Sequence, residues 1–125
     1  MTADELQFFD GRPGALGLYE GLRGMLLDIA PEAAIRVQKT QITYKLRYGF
    51  AFVSFTPVRR RAERGPAWLT LSFGLPFRLD DPRVDAAAEA RPNRWTHHIL
   101  IDDPGQLDDG LRAILAQSAA FGSRR

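Results

Sequence analysis

Without a single cysteine, this 125-residue chain can draw chemistry only from its histidines, carboxylates, hydroxyls and cations. Its two histidines stand side by side in the run Arg94-Trp95-Thr96-His97-His98-Ile99-Leu100-Ile101. That run reads as a strand. Adjacent strand residues point to opposite faces, so His97 and His98 cannot both reach one metal ion without a bulge. One histidine joined by Asp102 or Asp103 still falls short of the three or four ligands of a stable site. No metal site is expected, and no cofactor. One histidine should be hydrogen-bonded in or near the core and the other should lie on the exposed face.

The remaining candidates for catalysis are thin. Ser54, Ser72, Ser118 and Ser123 lack the strand-turn-helix context of an activated nucleophile. The pairs Asp80-Asp81, Asp102-Asp103 and Asp108-Asp109 stand where helices would begin, and capping explains them without acid–base work. No catalytic residue is assigned, and a non-catalytic protein is expected.

Binding is better represented. Thr43, Lys45 and Arg47 alternate with apolar residues on one segment, and Trp68, Thr70 and Ser72 do so on another. If Arg94 and one histidine, taken as His97, join them, the polar face of a sheet becomes a shallow groove with an aromatic wall and cationic donors, suited to an anionic or planar small molecule. The expected ligand-binding set is therefore Thr43, Lys45, Arg47, Trp68, Arg94 and His97. A second cationic cluster, Arg59, Arg60, Arg61 and Arg64, could grip phosphates as an alternative. It comes without a phosphate loop or nucleic-acid module, so a solvated loop tip is the stronger expectation and nucleic acid the weaker one. A sheet edge offers another alternative, a homodimer or protein partner.

These residues need elements to hold them. Leu18, Leu22, Met25 and Ile29 recur at helical spacing from Ala15, and Pro31 ends that helix near Ile29. Ala34–Val37 suggests a short strand, and Ile42 to Tyr48 alternates with a period of two. Phe50 to Val58 reads as a central strand paired to it, and Ala67 to Leu75 as a further strand. Asp81-Pro82 signals the start of a short helix through Ala90. The histidine strand follows. Asp103-Pro104-Gly105-Gln106 then starts a last helix, with Gln106 placed to complete a capping box. Helices flanking runs of strands imply an α+β two-layer sandwich, a mostly antiparallel sheet of about five strands with N-terminal and C-terminal helices on one face. The expected division is an N-terminal arm over 1–14, one domain over 15–121 and a frayed tail over 122–125.

Composition agrees with that picture. Of 125 residues, 45% are hydrophobic and 26% charged, as in ordinary globular proteins, and the net charge of +2 gives no overall bias toward polyanions. No apolar run approaches the length needed to span a bilayer. No membrane association and a cytoplasmic location are expected.

Leu18-Tyr19-Glu20-Gly21-Leu22, Ile42-Thr43-Tyr44-Lys45 followed by Phe50-Ala51-Phe52-Val53, and above all Arg94-Trp95-Thr96-His97-His98-Ile99 ahead of Leu107-Asp108-Asp109 carry a family resemblance. The chain resembles DUF5655, a domain-of-unknown-function family of small bacterial α+β domains, from about Leu18 to Phe121. The resemblance implies the fold and no catalytic residue.

Overall fold

The structure is a computed structural model that describes residues 1–124. The helical stripe from Ala15 becomes α2 (Pro13–Ile29), with Pro13 in the first turn, where its missing N–H leaves no bond unmade. Leu18, Tyr19, Leu22, Met25 and Leu26 form its buried face. Ahead of it lies α1 (Ala3–Phe8), and α3 (Asp109–Gly122) closes the chain. Six strands make one antiparallel sheet: β1 (Ala34–Val37), β2 (Gln41–Lys45), β3 (Gly49–Ser54), β4 (Leu69–Leu75), β5 (Ala86–Arg91) and β6 (Arg94–Ile101), in the order β1-β2-β3-β4-β6-β5. The α+β sandwich holds, with six strands rather than about five. Among the described residues no helix is long and apolar enough to cross a membrane.

Alternation decides which face is which. Ile42 pairs with Val53, Val53 with Leu71 and Leu71 with Ile99, a branched row across four strands, each at most 1% exposed. Burying each such side chain contributes roughly 1.5–3 kcal/mol. These residues join the helix stripes in one core. The β2–β3 pairing is irregular next to Tyr44 and Lys45, where Phe50 is an extra residue between two paired ones. The carbonyl of Phe50 accepts from the buried Ser118 hydroxyl at 2.8 Å, and that hydroxyl also lies 2.7 Å from the Gly74 carbonyl. A Cβ at Gly122 would stand 2.8 Å from the Cβ of Phe50, so a glycine lets the last turn of α3 close on the bulge.

Two expectations give way. The segment expected as a helix from Asp81 is instead a turn followed by β5. The Asp81 carboxylate accepts from the Arg83 amide two residues on, which turns the chain locally and uses up the capping signal. Pro92-Asn93, with Asn93 at φ 61°, then makes a tight turn that folds β5 back onto β6. Alanine's helical preference yields there to pairing along the open edge of β6. At the other end, the N-terminal arm over 1–14 carries α1 and the first residues of α2. Thr2 and Glu5 form a capping box that starts α1, and Glu5 and Phe9 are buried. The Asp103–Gln106 capping box forms as expected but encloses a single 3-10 turn, and α3 starts later, on Asp108, whose side chain accepts from the Leu111 amide. Of the expected frayed tail, Gly122 belongs to α3 and Arg125 lies outside the described residues.

Candidate functional site

On the face away from the core row, one row of side chains crosses the whole sheet. Arg36 pairs with Thr43, Thr43 with Phe52, Phe52 with Ser72, Ser72 with His98 and His98 with Ala86. The β1–β2–β3 end of this row opens into a shallow groove of about 370 Å³ lined by Arg36, Gln38, Gln41, Thr43, Lys45, Tyr48, Gly49, Phe52, Arg91 and Arg94. The groove floor is fixed by a small amide–hydroxyl triangle. The Gln41 amide donates to Thr43 Oγ1 at 3.1 Å and to Gln38 Oε1 at 3.2 Å, and the Thr43 hydroxyl donates to Gln38 Oε1 at 2.9 Å. The Phe52 ring lies over Gly49, where a Cβ would stand 2.9 Å from two ring atoms. Tyr48 is 40% exposed at the rim.

The charge of the groove is of one sign. Arg36, Lys45, Arg91 and Arg94 line it together with no carboxylate, and among the described residues none of the four forms an ion pair. Among the described residues five cations outside the groove are paired: Arg23 with Glu5, Arg59 with Asp85, Arg60 with Glu63, Arg83 with Asp81 and Asp108, and Arg112 with Asp28. What marks the groove is that four unpaired cations meet in one place. Three larger cavities carry less chemistry, and that of about 490 Å³ beside Arg78 is lined by Asp80, Asp81 and Asp85. One of about 800 Å³ between α1 and the β1–β2 turn sets a single Lys39 against Asp4. Another of about 520 Å³ beside Asp102 and Asp108 holds Arg59 and Arg83, both already spent on carboxylates.

The structure brings Thr43, Lys45 and Arg94 of the expected set into the groove. Arg47 stands at its rim, with Nε donating to the Tyr48 hydroxyl at 3.2 Å. Trp68 lies elsewhere, outside β4, where its ring meets Phe55 and the Arg64 guanidinium 4.6 Å from its centroid. His97 faces the core, with no exposed surface. Its ring stacks on Phe73 at 5.0 Å, and its Nε2 accepts from the Leu79 amide at 2.8 Å, so the proton sits on Nδ1, which has no partner. Burial pushes the His97 pKa below the ordinary histidine value and keeps the ring neutral. His98 is the histidine on the open face. Sequence reasoning missed Arg36, Tyr48, Phe52 and Arg91, which enter through the strand order β1-β2-β3 and through the β5–β6 turn.

His98 Nδ1 lies 2.6 Å from the Ser72 hydroxyl, the separation of a nucleophile and its base. Yet Ser72 is 8% exposed and sits mid-strand between two paired neighbours, which commits the local backbone amides to the sheet. An oxyanion would find no free amide there, and the pair serves to tie β4 to β6. Burial lowers the His98 pKa as well. Among the described residues no three histidine, aspartate or glutamate side chains converge where a metal could sit. The loop arginines do not form one patch: Arg59 pairs with Asp85 at 2.8 Å, Arg60 with Glu63 at 3.3 Å, and Arg64 stacks on Trp68.

The family model for Domain of unknown function (DUF5655) matches residues 5–121. The chain belongs to the DUF5655 family. No curated protein and no solved structure matches it. The DUF5655 match takes in the groove residues from Arg36 to Arg94 and, on the opposite side of the sheet, the buried carboxylate of Glu5 in α1. The DUF5655 description assigns no activity, so chemistry is read from the residues themselves.

Proposed function

We propose that this domain is a non-catalytic binding module that holds an anionic, planar ligand in the groove on the open face of its sheet. The observation that carries the reading is the set of four unpaired cations, Arg36, Lys45, Arg91 and Arg94, around a groove with no carboxylate and two aromatic side chains. Guanidinium groups hold carboxylate and phosphate oxygens in bidentate pairs, and an aromatic surface beside them favours a flat ligand. Such an arrangement binds and orients without attacking anything, which matches the lack of a free oxyanion site at Ser72.

The test is a titration of the purified protein with inorganic pyrophosphate, mononucleotides and aromatic carboxylates, read by melting temperature and by calorimetry. A ligand that binds only the folded state stabilises it by about 2.7 kcal/mol at a hundred times its Kd. Replacing Arg36 and Arg94 together with alanine should weaken a binding anion by at least about tenfold, since charge-assisted hydrogen bonds contribute roughly 1.5–3 kcal/mol each. Affinity unchanged in that double variant would rule out the groove.

A further inference from the structure

The groove continues at its rim into a ladder that interleaves cations with rings. The Arg47 guanidinium lies 5.4 Å from the Tyr48 ring centroid. Arg94 lies 5.4 Å from the same ring and 4.9 Å from that of Phe121, and Arg124 lies 5.4 Å from Phe121. Three parts of the chain supply it: the β2–β3 turn, the start of β6 and the end of α3. Arg94 belongs to both the ladder and the groove.

Building on the anion-binding reading of the groove, we infer that its ligand is single-stranded nucleic acid, with phosphates on the groove cations and bases against the ladder. Three observations point this way. First, the groove gathers four unpaired cations from four strands, β1, β2, β5 and β6, and a chain of phosphates can engage all of them at once where a single phosphate uses only some. Second, Tyr48 and Phe121 alternate with guanidinium planes and Phe52 lines the groove beside them, and base faces of any sequence stack on both kinds of surface. Third, the site is a shallow, open sheet face. A duplex hides its base faces and could meet this surface only through its backbone, so the rings favour unpaired strands.

The test is fluorescence anisotropy with a labelled oligothymidylate of roughly a dozen nucleotides, alongside a duplex of equal length and polyglutamate as a non-nucleic polyanion. The single strand should bind at least about tenfold more tightly than the duplex. With four or five phosphates neutralised, affinity should fall roughly 50- to 130-fold between about 50 and 200 mM salt. Tyr48→Ala and Phe52→Ala should each weaken binding about fivefold or more while leaving the salt dependence in place, because stacking is not a counterion effect. Lys45→Ala should reduce the salt dependence instead. A purely structural ladder predicts otherwise: Tyr48→Ala would lower the melting temperature and leave the affinity of the folded protein unchanged.

No single-strand binding at low salt, equal binding of duplex or polyglutamate, or insensitivity to both aromatic substitutions would overturn the inference. Pyrophosphate distinguishes the two levels. If it still binds in a manner that depends on Arg36 and Arg94, the groove remains an anion site and only the nucleic-acid assignment falls. If neither probe binds, both fall.

Discussion

Replacing Glu5 with glutamine should cost this fold about 3 kcal/mol, and the cost should vanish in acid. Glu5 has no exposed surface, yet it is an anion. Tyr19 donates to its Oε2 at 2.5 Å, Arg23 Nε at 2.8 Å, and the Thr2 amide donates to Oε1 at 3.0 Å. Since Tyr19 spends its one hydroxyl proton on Glu5, the Tyr44 hydroxyl, 2.7 Å from it, donates to Tyr19. Burial alone would raise the Glu5 pKa, but Arg23, Thr2 and Tyr19 together overcome it and hold the carboxyl at about 2 instead of 4.5. At about 1.4 kcal/mol per pKa unit, that depression amounts to roughly 3 kcal/mol. The sign follows from the folded value lying below the unfolded one: the stabilisation is complete above pH 4.5 and is lost as pH falls toward 2. Urea unfolding, followed by the fluorescence of Trp68 and Trp95, measures it directly. At neutral pH the Glu5→Gln protein should melt about 10 °C below the parent. The gap should close as the parent's own carboxyl becomes protonated. A gap under about 1 kcal/mol at neutral pH, or one of equal size in acid, would refute the account of α1 as a segment latched by a buried charge. Anion binding by the folded variant should be unchanged, because Glu5 lies on the helix side of the sheet and the groove on the other.

His97 predicts a second pH dependence of the same sense. Burial lowers its folded pKa beneath the ordinary 6.5, with His98 and Arg78 adding like-charge opposition, so the unfolded chain takes up a proton the folded one refuses. Stability should hold above pH 6.5 and fall below it, by at most about 1.4 kcal/mol per pH unit for this one group. His97→Gln should flatten that slope in urea titrations, and an unaltered slope would remove His97 as its source. Gly49→Ala places a methyl group 2.9 Å from the Phe52 ring and 3.3 Å from Thr43 Cγ2, so the ring must shift. Calorimetric titration should show about a fivefold loss of affinity for a stacking ligand, with a melting temperature close to the parent's, because the far end of a side chain moves more cheaply than backbone. Full affinity would mean that the resting place of Phe52 does not matter to the ligand.

Where sequence reasoning succeeded, a single period carried it. The three- and four-residue spacing of Leu18, Leu22 and Met25 became the buried face of α2, and the alternation around Ile42 and Tyr44 became the core side of β2. The β5 segment failed because a local signal was outvoted by pairing: Asp81-Pro82 can open a helix, but the chain turns back at Pro92-Asn93 and the segment pairs along β6. The start of α1 was legible and passed over, since Thr2-Ala3-Asp4-Glu5 has the spacing of a capping box. Six residues form no stable helix by themselves, so that box matters only through the burial of Glu5, which no local pattern announces.

The site was half legible for a related reason. Residues on one strand two apart share a face, so Arg94 and Thr96 point with His98, and His97 must point with the core. Choosing His97 as Arg94's companion broke that rule. Trp68 obeys it relative to Thr70 and Ser72 but falls just before β4 begins, where alternation no longer fixes direction. What no period could supply is the company Arg94 keeps. Arg36, Lys45 and Arg91 come from separate strands, and only the order of the sheet sets them in one groove. The near-neutral total of 17 basic and 15 acidic residues hides this separation of charge. The carboxylates are placed at turns and helix starts, where Asp81, Asp103 and Asp108 accept backbone amides, and in pairs with Arg23, Arg59 and Arg83. The four groove cations are left facing one concave space with no acid among them, a cost that a bound anion would relieve. Other cations of the chain also stand without a carboxylate, but among the described residues only here do four of them line one concave place, and that convergence is the physical reason to look for an anion there.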